Sequence, residues 1–321
     1  MYAFQTVIIV QKIVGIGCLI LFATGWFAVT GWLITRDSQR NAFAADAEFN
    51  AYLDESLLWT QTGHKPDASV TVMWGPTHML PTWKHESELN LVRTPVAEVE
   101  SLKDLDAFIQ ANNVAYVIVD RQMVDRMASK LVAELGIAAS GDNRLTFSDF
   151  PPDWALGFVS PAMPCQYCVF RRLSAPPAIE TVDYRLNDSI RLFGYEIMAD
   201  EFHPDGQMVV TLYWESQQPV AIDYTVFTQL LGPDFQLHAQ MDRQPLSGHW
   251  PTSRWRPGQK FVDKFELKIS ENAPPGDYVL LVGLYDANTG QRLPVTENGE
   301  RLPDDAIRLQ NLTMSANLAL Q

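Results

Sequence analysis

Apolar positions along this chain follow three different patterns. The first is residues 13–34 (IVGIGCLILFATGWFAVTGWLI), 22 consecutive positions without a charge. As a helix rising about 1.5 Å per residue, this run spans roughly 33 Å, close to the ~30 Å hydrocarbon core of a bilayer. Trp26 and Trp32 lie toward its C-terminal end, where indoles favour the headgroup region, and Arg36, Asp37 and Arg40 stop it. The pattern predicts a single membrane-spanning helix that ties the chain to a lipid bilayer. A cleaved secretory signal is the competing reading, with Ala42-Phe43-Ala44 as a small-x-small site, although the apolar region of a signal is normally about 7–15 residues. Lys12 on one side, against Arg36 and Arg40 on the other, leaves the orientation nearly balanced.

The second pattern alternates between periods. Phe43, Ala47, Ala51 and Leu58 recur at roughly helical spacing until Gly63, His64, Lys65 and Pro66 break the run. Residues 69–74 (SVTVMW) and 90–93 (NLVR) read as short strands. Ser101 followed by Asp104 is a capping start for a helix through Asn112, and residues 114–120 (VAYVIVD) are the strongest strand in the chain. Residues 121–135 read as a second amphipathic helix, ended by Gly136. Strands alternating with helices at this spacing predict a small α/β layer with a parallel sheet.

From residue 145 to 173 the chain is turn-rich, and Ser174-Ala175-Pro176-Pro177 reads as an extended linker. The third pattern follows. Residues 190–197, 208–216, 224–232, 237–243, 260–269, 278–285 and 307–314 are seven strand candidates separated by turns such as His203-Pro204-Asp205-Gly206. Short strands at regular spacing predict a β-sandwich of immunoglobulin-like size. The expected architecture is therefore α+β and multidomain: an anchor over 1–40, an α/β domain over 41–173, a linker over 174–178 and an immunoglobulin-like β-sandwich over 179–321.

Composition narrows the function. With 24 Lys+Arg against 38 Asp+Glu among 321 residues, the formal net charge is −14. Such acidity argues against a nucleic-acid partner, because phosphate binding needs clustered cations. A hydrophobic fraction of 47% excludes global disorder, and three cysteines are too few for a disulfide-scaffolded miniprotein.

Several stretches then gain meaning together: IRLFGYEI (190–197), MVVTLYWES (208–216), DYTVFTQLLGPD (223–234), PTSRWRPGQ (251–259) and PPGDYVLLVGLYDANTGQRLPV (274–295). As a series they resemble the β-sandwich at the C-terminus of bacterial GT-C-type, polyprenyl-phosphate-sugar-dependent membrane glycosyltransferases of the mannosyltransferase-like class. VAYVIVDRQM (114–123) is similar to the extracytoplasmic domain that follows their last membrane helix. Those enzymes are polytopic and carry their catalytic acid on an early extracytoplasmic loop. This chain has one apolar run and no such loop, so no catalytic residue is carried over. The resemblance implies an extracytoplasmic, non-catalytic module at the cell membrane that recognises a glycan or glycolipid or supports a partner transferase; a structural subunit of a larger membrane complex is the alternative.

The remaining chemistry is sparse, and it calls for neither a metal nor a cofactor. Cys165 and Cys168 form a CxxC in a proline-rich strand region, the wrong context for a redox helix; a local disulfide and two packed thiols are both open readings. His78 and His85 flank Trp83 without further ligands nearby, and Asp286-Ala287-Asn288-Thr289-Gly290 reads as a hairpin turn that lacks the later positions of a calcium loop. The ligand or partner site falls on GHWPTSRWRPG (248–258). There Trp250 and Trp255 offer apolar faces and Arg254 and Arg256 offer guanidinium forks suited to an anionic glycan, while internal anchoring of the indoles is the competing reading.

Overall fold

The computed structural model describes residues 71–74, 90–96, 98–139, 145–148, 150–159, 167–175, 179–199 and 202–315. The apolar run at 13–34, the helix expected after it, His64, His78, His85 and Pro176-Pro177 lie outside these residues. The unit described below is residues 50–321. Among the described residues no helix is long and apolar enough to cross a membrane.

The α/β pattern is present. It comprises β1 (Thr71–Trp74), β2 (Asn90–Arg93), α1 (Leu102–Ala111), β3 (Val114–Asp120), α2 (Arg121–Arg126) and α3 (Ser129–Glu134). Strand β1 pairs in parallel with both β2 and β3. Helix α1 starts where the sequence places it: the Ser101 hydroxyl accepts from the Asp104 N–H at 3.3 Å, and Leu105 and Ile109, one turn apart, are buried. The single helix expected over 121–135 is instead two short ones. Ala128 is extended (ψ 136°) and stands at the cap of the second helix, which starts at Ser129 without a side-chain capping bond.

The turn-rich stretch yields more strand than its prolines suggest: β4 (Ile137–Ala139) with β5 (Leu145–Phe147), then β6 (Trp154–Val159) with β7 (Tyr167–Arg172). All seven strands expected beyond the linker are found within β9 (Ile190–Ala199), β10 (Gln207–Ser216), β11 (Tyr224–Leu231), β12 (Leu237–Arg243), β13 (Lys260–Lys268), β14 (Gly276–Asp286) and β17 (Ile307–Met314), their ends agreeing to within two residues. Three short strands lie outside that expectation: β8 (Glu180–Leu186), β15 (Val295–Glu297) and β16 (Glu300–Arg301). Polar residues dominate β8 and β16, which removes the apolar alternation that marks a strand in sequence.

Besides the two-stranded β4-β5 sheet, the strands form two sheets, ordered β12-β11-β14-β17 and β16-β15-β8-β9-β10-β13-β6-β7-β3-β1-β2. On β10, alternate side chains Met208, Val210, Leu212 and Trp214 are buried in one core with Val226, Leu230, Leu280 and Val282 of the smaller sheet. The fold is thus mostly β and sandwich-like, with few helices. The expected linker does not divide the core. Strand β7 pairs with β3, β6 pairs with β7, and β6 meets β13 where Leu156 lies opposite Phe261, so one sheet runs through both halves. The facing edges of β6 and β13 supply hydrogen-bonding groups that a free edge would leave to water.

Candidate functional site

The segment between β12 and β13 carries the residues that the sequence nominates. It leaves β12 through a left-handed turn at Leu246 (φ 50°), Ser247 (φ 56°) and Gly248 (φ 80°). An ion pair between half-buried Arg243 and buried Asp263 holds that turn. Asp263 lies 2.8 Å from Arg243 Nη2 and also accepts backbone N–H bonds from Leu246 and Lys264, while Arg243 Nη1 donates to Ser247 Oγ at 2.9 Å. Burial pushes the Asp263 carboxyl above its ordinary pKa even though Arg243 and the two amides pull it down. Leu246 is itself buried, which offsets the cost of left-handed backbone at a bulky residue.

Beyond the turn, hydrogen bonds tie the segment to the preceding hairpin and to β5. Thr252 Oγ1 accepts from the Tyr224 N–H at 2.9 Å and donates to the Ile222 carbonyl at 2.6 Å. The Ser253 N–H donates to Asp223 Oδ1 at 3.2 Å, and buried Gln259 donates to the Phe147 carbonyl at 3.1 Å while accepting from the Arg256 N–H.

The two indoles belong to this bracing. Trp255 is 2% exposed, stacked on Phe261 at 4.2 Å with 15° between the rings, and donates from Nε1 to the Trp250 carbonyl at 3.1 Å. Trp250 is 7% exposed and packs against Phe147 with ring centroids 6.5 Å apart. Neither face is open to a ligand. Internal anchoring, the competing reading, is the one the packing favours, because each indole meets aromatic rings contributed by other strands. Arg254 and Arg256 remain on the surface, and neither side chain makes a hydrogen bond or ion pair among the described residues. The structure therefore reduces the four nominated residues to two guanidinium groups on a cross-braced loop.

The other nominated groups are placed as follows. Cys168 is buried in β7 and disulfide-bonded, while Cys165 lies outside the described residues. Asp286 accepts from Asn288 and Thr289 as the cap of a hairpin turn, and these bonds hold its carboxyl below its ordinary pKa. Among the described residues no group of three or more His, Cys, Asp or Glu side chains is placed to hold a metal.

Sequence reasoning missed a buried polar network that crosses the expected domain boundary. Arg171 on β7 donates from Nη2 to Glu196 Oε1 on β9 at 3.0 Å and from Nη1 to Tyr116 Oη on β3 at 3.4 Å. Tyr213 on β10 donates to the same Glu196 oxygen at 2.7 Å. Burial raises the Tyr116 and Tyr213 pKa values, Tyr213 strongly; it opposes the Arg171 charge, which Tyr116, Tyr213 and Glu196 nonetheless hold in place. The signal available beforehand was slight: Arg171 follows three apolar strand residues, where exposure and pairing are equally open.

No family model and no curated protein matches the chain. Among solved structures, similarity is found to the C-terminal domain of wzt, with 13% identity and a TM-score of 0.27 over 44% of this chain and 90% of that one. A glycosyl hydrolase family 2 member from Bacteroides cellulosilyticus gives 9% identity and a TM-score of 0.26 over 50% of this chain and 18% of that one. A calcium-binding mutant of Bacteroides uniformis beta-glucuronidase 2 gives 10% and 0.25 over 40% and 14%. Overlaps of this quality carry no argument about fold or activity.

Proposed function

We propose that this chain is a membrane-anchored, non-catalytic module of the cell envelope, associated with glycosyl transfer, that recognises an anionic glycan or glycolipid. In this reading residues 13–34 span the bilayer, the β-sandwich is immunoglobulin-like, and the described region lies outside the cytoplasm. The observation that carries the proposal is the loop of residues 248–258. It presents Arg254 and Arg256, without internal partners, from a backbone braced by Thr252, Ser253, Trp255 and Gln259. A fixed backbone lowers the ordering cost of binding, and guanidinium forks match carboxylate and phosphate oxygens. Two further observations support the setting. The disulfide at Cys168 suits an oxidising compartment, and the sheet shared by the α/β layer and the sandwich makes a stiff support for a recognition loop.

The test uses the full chain in detergent micelles, probed on arrayed oligosaccharides that include uronic-acid and phosphate-bearing members. Anionic sugars should be retained, and Arg254→Ala with Arg256→Ala should abolish retention without moving the melting temperature. Carbonate-washed membranes should keep the chain. Recovery of a soluble protein beginning near Ala45 would overturn the anchor. Stoichiometric co-purification of a membrane protein with no sugar affinity would replace glycan recognition by structural support.

A further inference from the structure

The β11–β12 hairpin stands at the opposite end of β12 from Arg254 and Arg256, and its tip is unusual. Among the described residues, those other than glycine with left-handed backbone are Asn or Asp, which tolerate it, except at Phe235, Leu246 and Ser247. Leu246 gains burial and Ser247 accepts a bond from Arg243. Phe235 has φ 60° and is 83% exposed, so no burial offsets its left-handed backbone or its exposed ring.

The turn holds that ring outward. The Phe235 N–H donates to the Gly232 carbonyl at 3.0 Å, and the Gly232 N–H donates to the Gln236 carbonyl at 2.9 Å. Asp234 Oδ1 accepts from the Gln236 N–H at 3.1 Å, and both of its oxygens lie within 3.1 Å of His238 Nε2. His238 is fixed in turn against the Tyr278 ring, 5.6 Å away at 73°. Pro233 packs over Gly276, where a Cβ would sit 2.8 Å from the proline ring. The apolar residues Pro233, Phe235 and Leu237 are all exposed and alternate with Asp234 and Gln236.

Size decides what such a tip fits. A stable protein interface needs about 800 Å² from each partner, and one exposed ring with two small apolar neighbours falls far short. A sugar ring needs only one aromatic face with hydroxyl partners at its rim. Asp234 supplies an acceptor and Gln236 both a donor and an acceptor, its side chain having no partner among the described residues.

We propose that residues 233–237 form a stacking site for a neutral pyranose, distinct from the anionic contact at Arg254 and Arg256. The proposal rests on the glycan-recognition reading above. Phe235 supplies the ring face, and Asp234 and Gln236 bind the hydroxyls. Pre-formation of the turn means that little freedom is lost on binding.

Phe235→Gly separates binding from folding, because glycine relieves the left-handed strain while removing the ring. The full chain in detergent micelles is applied to arrayed neutral hexose and N-acetylhexosamine oligosaccharides. Phe235→Gly should weaken retention about tenfold, the equivalent of ~1.4 kcal/mol, with an equal or higher melting temperature, and Phe235→Trp should keep it. Neutral-sugar retention that survives Phe235→Gly, or retention of anionic sugars alone, lost with Arg254→Ala and Arg256→Ala, would overturn this site and leave the broader reading standing. A wild-type chain that retains no sugar of either kind would overturn both.

Discussion

Trp255→Ala is the perturbation whose size the structure sets most firmly. The indole is almost wholly buried, stacked on Phe261, and bonded through Nε1 to the Trp250 carbonyl. Burying an indole removes about 200–250 Å² from water, which at ~25 cal/mol per Å² bounds the loss at roughly 5–6 kcal/mol. A compact unfolded chain lowers that figure by some tens of per cent, whereas the unpaired Trp250 carbonyl adds about 1 kcal/mol. The net expectation is about 3–5 kcal/mol, within the usual range for emptying a buried aromatic site. For a unit of this size each kcal/mol moves Tm by about 2–4 °C, so thermal unfolding followed by far-UV circular dichroism should show a fall of at least ~6 °C. Trp255→Phe should cost more than Trp250→Phe, because the Trp250 Nε1 is buried with no hydrogen-bond partner and has none to lose. An unchanged Tm for Trp255→Ala, accompanied by lost sugar binding, would refute internal anchoring and restore the indole as a ligand face.

Arg171→Ala should destabilise by about 3–5 kcal/mol, because it leaves the largely buried Glu196 carboxylate without its cation; Arg171→Met with Glu196→Gln should recover most of that loss, and additive losses in a double-mutant cycle would refute the network. Gly283→Ala should cost about 1–3 kcal/mol in chemical denaturation, since a Cβ there would lie 2.5 Å from Phe227 Cζ and 3.2 Å from the Asp305 carbonyl; a neutral result would mean that the Phe227 ring moves freely under Arg292. The Arg301 guanidinium holds the Asp305 carboxyl below its ordinary 3.8, so its stabilisation is present above that value and is lost as pH falls through the lower folded-state pKa. The Tm difference between wild type and Asp305→Asn should therefore be largest near neutrality and vanish well below pH 3.8, and a constant difference would contradict the linkage.

Local order was legible where local forces suffice. Ser101 and Asp104 fix the start of α1 because the cap forms within one turn, and residues 114–120 combine β-branched and aromatic residues so densely that a buried strand is the economical outcome. The seven later strands could be read because each carries its own alternation between turn residues. The break in residues 121–135 was less visible, since periodicity continues through Ala128 while the backbone does not.

Tertiary structure alone decided the relations between these pieces. That β6 and β7 carry the sheet across from β3 to β13 depends on edges meeting from distant regions of the chain, and the prolines between them do not reveal it. The same holds for the candidate site. Trp250, Arg254, Trp255 and Arg256 lie within seven residues, yet packing against Phe147 and Phe261 turns the indoles inward and leaves the guanidinium groups in water. Phe235 passes as an ordinary hairpin residue until its left-handed backbone and exposed ring are seen together. Capping and alternation act between residues a few positions apart, so the sequence records them directly. Burial depends on which surface arrives from elsewhere in the chain, and only the assembled sheets settle that.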